Sequence, residues 1–239
     1  MADVCPYRSR DHSFLLFVVQ NPSQLAHDVQ QRIFRTGGLQ VAMGAFGETA
    51  DTVTPASSES HFHHMFAGDV LLLAVCEDTG HQVSHALFNY YLLPNAASAD
   101  TTVTYLNGVA VLPRWQGQGL FSALLHTILC HRRTLYLACR TQNPRIVAGL
   151  QKVGTVYPLV HPSQEVMKIA AELAAQLGHT PSNGYDPDSM VAKKWYPHFI
   201  INSTPWPDNS DCGKRMSQLL DQKAGDCLIS ICIPFDIQP

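Results

Sequence analysis

The sequence predicts a mixed α/β fold with a mostly antiparallel central sheet flanked by helices. An apolar run near the amino terminus is followed by a segment of helical periodicity, so the chain opens with a strand and then a helix. Three strand-like runs then follow in series, separated by short breaks that are typical of an antiparallel meander. After them, the last strand runs through a glycine turn into a helix, and shorter strands and helices alternate.

The first third of the chain contains the opening strand and helix. The run from Phe14 to Val19 predicts a buried strand. Residues 21–35 have apolar side chains at i, i+4 and i+8, which predicts an amphipathic helix. Residues 47–60 are rich in Thr, Ser, Ala and Gly, and we expect a mobile loop there that leads into His61.

The central third contains the meander. Its strands are predicted at Val70 to Glu77, Gln82 to Leu93 and Thr101 to Leu112. Apolar residues occupy both parities of the second and third runs, so we expect both faces of the sheet to be covered.

The remainder alternates between helix and strand. A wide apolar stripe predicts a helix from Leu120 to near His131, and Ser163 and Gly178 bound another helix. Residues 179–213 are rich in Pro, Asn, Asp and aromatic residues, which predicts an irregular segment. The other predicted elements are strands at 135–140, 156–160 and 227–233 and helices at 143–152 and 215–221.

Composition and charge restrict the class of protein. Hydrophobic residues make up 46% of the chain and charged residues 15%, so intrinsic disorder is disfavoured. The net charge is −3 and no run of Lys or Arg is present, which disfavours nucleic acid and membrane partners. The seven cysteines are widely spaced without a C-x-x-C pair, which predicts neither a disulfide framework nor a metal site and indicates a reducing cytoplasm.

The segment from Asn107 to Phe121 has the pattern of an anion site. The first N–H groups of a helix have no intrahelical acceptor, and glycines let an anion approach them closely. Gly117 and Gly119 stand where those amides begin. No Gly-Lys-Ser/Thr follows, and Ser122 replaces the third glycine of a dinucleotide fingerprint. On spacing alone, a tight turn without a ligand is an equally good interpretation.

The stretch from Val109 to Leu125 resembles the acyl-CoA signature of the GCN5-related N-acetyltransferase (GNAT) superfamily. Gln116-Gly117-Gln118-Gly119 matches its core, whereas Phe121 departs from the small residue that is usual there. Thr141-Gln142-Asn143-Pro144 is similar to the family's second motif. The resemblance implies one domain over residues 1–239, in which residues 162–226 form an insertion or lid before the last strand.

The resemblance also implies how acetyl-CoA or a longer acyl-CoA is bound, without a metal. The pantetheine arm pairs with the strand backbone at Val109, Ala110 and Val111, where Gly108 forms a bulge or relieves packing. Asn143 contacts the cofactor near its thiol end. The pyrophosphate is held by backbone amides of the loop and helix start, at Gln116, Gly117, Gln118, Gly119, Leu120, Phe121 and Ser122.

The acid and base that are usual in the family are absent. Tyr105 stands in place of the glutamate, and Leu150 in place of the tyrosine. Three options follow: another acid or base such as His85 or Tyr105, little side-chain assistance, or a degenerate enzyme. For each of these two residues, a position in the core is the competing interpretation, and the sequence favours it.

Other polar and aromatic clusters have structural interpretations that are favoured over functional ones. For the histidines at 61, 63 and 64 we favour an exposed loop over a metal site, and for His126 and Cys130 core packing over zinc binding. The aromatic residues of the irregular segment are expected to pack it onto the core, with an acceptor pocket as the alternative; they are Trp195, Tyr196, His198 and Trp206.

The resulting functional hypothesis is transfer of an acetyl or longer acyl group from CoA to a primary amine on a small molecule or peptide. One alternative is a tailoring N-acyltransferase with a fatty acyl donor and a natural-product or peptide acceptor. The other is a non-catalytic acyl-CoA-binding module. The acceptor and the oligomeric state are not determined by the sequence.

Overall fold

The computed structural model describes residues 3–49, 51–94, 101–132, 134–196 and 210–235. The chain forms two compact units, which we call the first unit (residues 1–89 and 106–132) and the second unit (residues 90–105 and 133–239). Each unit combines paired β-strands with α-helices. The strand pairs whose residue-to-residue register is defined are antiparallel. The predicted mixed α/β fold with a mostly antiparallel sheet is therefore confirmed.

The sheet of the first unit has the strand order β1-β2-β3-β4-β5. The strands are β1 (Asp3–Arg8), β2 (Ser13–Gln20), β3 (Val70–Cys76), β4 (Gln82–Leu93) and β5 (Thr101–Val111). The boundary with the second unit falls within β4 and β5. Four of these strands agree with the predicted ones, but β1 was not predicted. It is an edge strand with largely exposed side chains, so its pairing with β2 holds it in place without a burial pattern.

The helices of the first unit are α1 (His27–Ile33), α2 (Leu39–Phe46), α3 (Pro55–Phe66) and α4 (Leu120–His131). A π-helical turn joins α1 to α2, so the predicted helix over 21–35 is the first part of a longer helical region. The loop predicted over 47–60 is wrong from Pro55 onward. Thr54 and Ser57 form a reciprocal capping box that starts α3, and this local signal outweighs the Ser- and Ala-rich composition.

Helix α3 packs on the sheet of the first unit. Its buried Phe62, Met65 and Phe66 form one hydrophobic cluster with Leu71, Leu73 and Leu87 of strands β3 and β4 and with Phe34. Helix α4 begins at the predicted residue, and its side chains at 120, 124, 125 and 128 are buried. By contrast, His126 and Cys130 are exposed. The prediction that both belong to the core is therefore wrong, because they lie on a different face of α4 from these leucines and Ile128.

The second unit has the strand order β5-β6-β10-β9-β8, and β7 also pairs with β10. Its elements are β6 (Tyr136–Thr141), α5 (Pro144–Leu150), β7 (Gly154–Tyr157), α6 (Gln164–Gln176), β8 (Tyr185–Asp186), β9 (Val191–Ala192), α7 (Asp211–Leu219) and β10 (Cys227–Pro234). The segment predicted as irregular contains the short β8 and β9. Its residues 197–209, including His198 and Trp206, lie outside the described residues. The assignment of 162–226 as an insertion stays a prediction.

The core of the second unit lies between its sheet and α6. The apolar stripe of α6, with Ile169 and Leu173 fully buried, packs in one cluster with Tyr105 of β5 and with Ile229 and Ile231 of β10. In the described ranges of the chain, no helix has both the length and the apolar character that crossing a membrane requires.

Candidate functional site

The loop before α4 has the geometry of an anion cradle. A 3-10 turn at Pro113–Trp115 leads into Gly117 and Gly119, whose φ angles are 80° and 79°. These left-handed conformations favour glycine, because a β-carbon there is strained. Gly119 is the N-cap of α4, so the N–H groups of the first turn have no intrahelical acceptor. No heavy atom of the described residues lies within 4 Å of a β-carbon placed at Gly117, so the loop is open on that side.

Strand β1 is far from this loop along the chain but supports it through Tyr7. The Tyr7 hydroxyl donates a hydrogen bond to the Gln118 carbonyl at 3.0 Å. Tyr7 stacks on Phe14 with 6.1 Å between ring centroids, and Phe14 meets Trp115 edge to face at 5.5 Å. A β-carbon at Gly119 would collide with the Tyr7 hydroxyl. Sequence reasoning missed Tyr7, because β1 has no hydrophobic pattern and more than one hundred residues separate it from the loop.

The end of β5 is tied to the same loop and to β4. The Val111 carbonyl accepts a hydrogen bond from the Gln116 side-chain amide at 3.2 Å. The Ala110 carbonyl accepts one from the Ser84 hydroxyl at 2.7 Å. The pairing of the backbone at 109–111 with pantetheine stays a prediction.

His85, one of the two predicted catalytic candidates, is a buried residue of β4 with 9% of its surface exposed. Its Nδ1 lies 3.4 Å from the Gln82 side-chain nitrogen. Burial, together with smaller effects of the charges of His64 and His61, lowers the pKa of His85 to about 4. The imidazole is therefore neutral near pH 7, and its lowered pKa makes it a weaker base than an exposed histidine.

The structure brings His85 near two histidines of α3 that the sequence analysis treated separately. His61 Nε2 lies 2.9 Å from a Glu48 carboxylate oxygen. His64 Nε2 lies 2.7 Å from the position that a β-carbon of Gly108 would take, so Gly108 makes room for this imidazole. In the described part of the chain, no three or more His, Cys, Asp or Glu side chains are grouped so that they could hold a metal ion. The expectation of a loop here is wrong, because these histidines belong to α3, but His63 and His64 are exposed as expected.

The pH dependence of stability tests the state of His85. The unfolded chain protonates this residue below about pH 6.5, whereas the folded chain does so only below about pH 4. The unfolded state therefore binds more protons in this window, and the free energy of unfolding falls by roughly 3 kcal/mol as the pH is lowered through it. We expect His85→Gln to flatten that decrease in urea denaturation. Exposed His81→Gln is the control, and an unchanged slope in His85→Gln would contradict a neutral buried histidine.

Tyr105, the second candidate, lies in the core of the second unit with 1% of its surface exposed. Its ring meets Tyr91 edge to face, with 5.6 Å between the centroids. Burial raises the pKa of Tyr105 far above its ordinary value, although the nearby Arg140 charge acts in the opposite direction. The phenol is therefore protonated at neutral pH and cannot act as a general base, and its raised pKa also makes it a weaker acid than an ordinary tyrosine.

Asn143 begins α5 in the second unit. Its Oδ1 accepts hydrogen bonds from the backbone N–H groups of Arg145 at 2.8 Å and Ile146 at 3.3 Å. Thr141 in turn accepts a hydrogen bond from the Asn143 N–H at 2.8 Å. This cap fixes the side chain and uses only its oxygen, so its Nδ2 group is the part that can donate to a ligand.

Comparison with known proteins identifies part of the chain. Residues 43–154 match the model of the acetyltransferase (GNAT) family, a range that includes the loop at 116–119, His85, Tyr105 and Asn143. No curated protein matches the sequence at a significant level.

Among solved structures, the GNAT domain of a Streptomyces lividans PAT shares 16% identity over 68% of this chain and 92% of its own, with a TM-score of 0.42. A putative arylalkylamine N-acetyltransferase 7 from the mosquito Aedes aegypti shares 13% identity over 76% of this chain and 90% of its own, with a TM-score of 0.45. A ribosomal-protein-S5-alanine acetyltransferase from Vibrio fischeri shares 10% identity over 98% of this chain and 100% of its own, with a TM-score of 0.41. The sequence match, and not the structural likeness, therefore relates this chain to known proteins: residues 43–154 match the GNAT acetyltransferase family, which implies acyl transfer from CoA.

Proposed function

We propose that the protein is an acyl-CoA-dependent N-acyltransferase that moves an acetyl or longer acyl group to a primary amine. The loop at 116–119 is the observation that carries this proposal. It lies within the family match and presents two left-handed glycines at the start of a twelve-residue helix. Backbone amides and the helix dipole there favour a dianionic pyrophosphate.

The two candidate residues are assigned to different proton transfers. A primary amine with a pKa near ~10.4 must lose a proton before it attacks the acyl carbon, and the leaving sulfur must gain one. His85 is the candidate for accepting the first proton and the Tyr105 phenol for donating the second, although burial makes His85 a weaker base and Tyr105 a weaker acid than their exposed counterparts. Asn143 can donate from its Nδ2 group, and Gln116 to Ser122 hold the pyrophosphate. A carbon–nitrogen bond forms and a carbon–sulfur bond breaks.

A non-catalytic acyl-CoA-binding module is the second candidate. The observation in its favour is Leu150, which is fully buried in α5 and offers no polar group where relatives place their acid. Both functions predict CoA binding, so binding alone does not separate them.

Mass spectrometry of reaction mixtures tests the proposal. The protein is incubated with acetyl-CoA, butyryl-CoA or palmitoyl-CoA and with small amines or peptides, and we expect the mass of an acylated amine together with free CoA. A product from palmitoyl-CoA alone would indicate the fatty acyl tailoring enzyme. Binding of CoA by calorimetry without any product in the panel would contradict the N-acyltransferase and favour the binding module.

A further inference from the structure

Arg140 is a partly buried cation held between aromatic rings of the second unit. It lies on β6, where its backbone pairs with Ile229 of β10. The guanidinium carbon lies 4.1 Å from the ring centroid of Trp195 and 5.3 Å from that of Tyr196. Its Nε–H donates a hydrogen bond to the Tyr196 hydroxyl at 3.0 Å. Within the described ranges, this is the one hydrogen bond of the guanidinium.

The charge of Arg140 has no acidic partner in the described parts of the chain. None of the ion pairs found there includes it. Asp226, the residue directly before β10, already accepts hydrogen bonds with its two oxygens from the backbone N–H groups of Lys194 and Asp221, at 3.0 and 3.2 Å. Removing a cation from water without a counter-ion is costly, and cation–π contacts offset only part of that cost.

The surrounding residues hold the guanidinium in one orientation. Tyr196 is fixed by a hydrogen bond from its backbone N–H to the Gly225 carbonyl at 3.0 Å. Gly225 has a φ of 88°, and the Tyr196 carbonyl occupies the space that a β-carbon would take. His179 stacks on Trp195 with 3.5 Å between the centroids. With Nε used by Tyr196, the four N–H donors of the two terminal nitrogens form a fork that matches a carboxylate.

We propose that Arg140 binds a carboxylate that belongs to a substrate. This inference rests on the proposed function and extends it, because it names the chemical class of the substrate. The carboxylate comes either from an acceptor of the amino-acid type, which bears it beside the amine, or from a dicarboxylic acyl group on CoA. Trp195 and Tyr196, which flank Arg140, pack against the hydrophobic cluster that contains Tyr105. The Arg140 charge acts on the Tyr105 phenol, so this anchor is close to one candidate catalytic residue.

Calorimetry with matched pairs of probes tests the inference without requiring turnover. The first pair is N-acetyl-L-phenylalanine and N-phenethylacetamide, titrated in the presence of CoA, and the second is succinyl-CoA and butyryl-CoA. We expect the carboxylate to tighten binding at least about 10-fold in one pair. Preference in the first pair assigns the carboxylate to the acceptor, and preference in the second assigns it to the donor.

Variants then locate the preference. Arg140→Met should remove the preference for the probe with a carboxylate. Arg140→Lys should keep only part of that preference, because an ammonium lacks the planar fork of a guanidinium. Exposed Arg32→Met is the matched control and should leave the preference unchanged. Equal affinity within both pairs for the unmodified protein would overturn the inference whether or not the variants fold. So would a preference that Arg140→Met retains. If no amine is acylated but the Arg140-dependent preference is present, the proposed enzyme function fails and this inference stands.

Discussion

A Gly119→Val variant is expected to bind CoA at least about 10-fold more weakly than the unmodified protein, a loss of roughly 1.4 kcal/mol or more. Valine at a φ of 79° is strained, and its β-carbon would meet the Tyr7 hydroxyl that holds the loop. The loop must then shift, and the amides at the start of α4 no longer converge on the pyrophosphate. Isothermal titration calorimetry with CoA measures the change.

Gly80→Val is the matched control for this experiment. Gly80 also has a left-handed φ, 67°, but apart from its own chain neighbours no described residue has a heavy atom within 4 Å of a β-carbon placed there. Both variants should lose a similar amount of folding stability from backbone strain, whereas only the variant at Gly119 alters the loop. Unchanged CoA affinity in a folded Gly119→Val protein would show that the pyrophosphate binds elsewhere.

Tyr105→Phe is expected to lower kcat by about 10²-fold if this phenol donates a proton during the reaction. The substitution keeps the ring that packs against Tyr91 and removes only the hydroxyl. CoA affinity and the melting temperature should therefore stay near their original values. Steady-state kinetics with a fixed amine acceptor separates the effect on kcat from an effect on KM.

Tyr185→Phe is the control within the same hydrophobic cluster. The Tyr185 hydroxyl is buried and has no hydrogen-bond partner among the described residues. Its removal should leave kcat unchanged and stability equal or higher, because an unsatisfied polar group is lost. If Tyr105→Phe behaves in the same way, Tyr105 is not part of the mechanism and His85 becomes the leading candidate.

The sequence alone determined the elements whose signals are local. Hydrophobic periodicity placed β3 to β5 and α4, because burial on a sheet or helix face repeats along the chain. The two glycines before α4 were found for a similar reason, since a strand that turns directly into a helix needs residues with positive φ. These signals were enough to predict the fold class and the position of the loop.

Only the tertiary structure decided which distant side chains meet. Tyr7 contacts the loop at Gln118 through β1, an exposed edge strand that leaves no hydrophobic period. Gly108 admits His64 of a helix that the sequence analysis had taken for a loop. The aromatic pair around Arg140 lies more than fifty residues further along the chain. Contacts of this kind depend on packing between elements, which no local pattern of residues records.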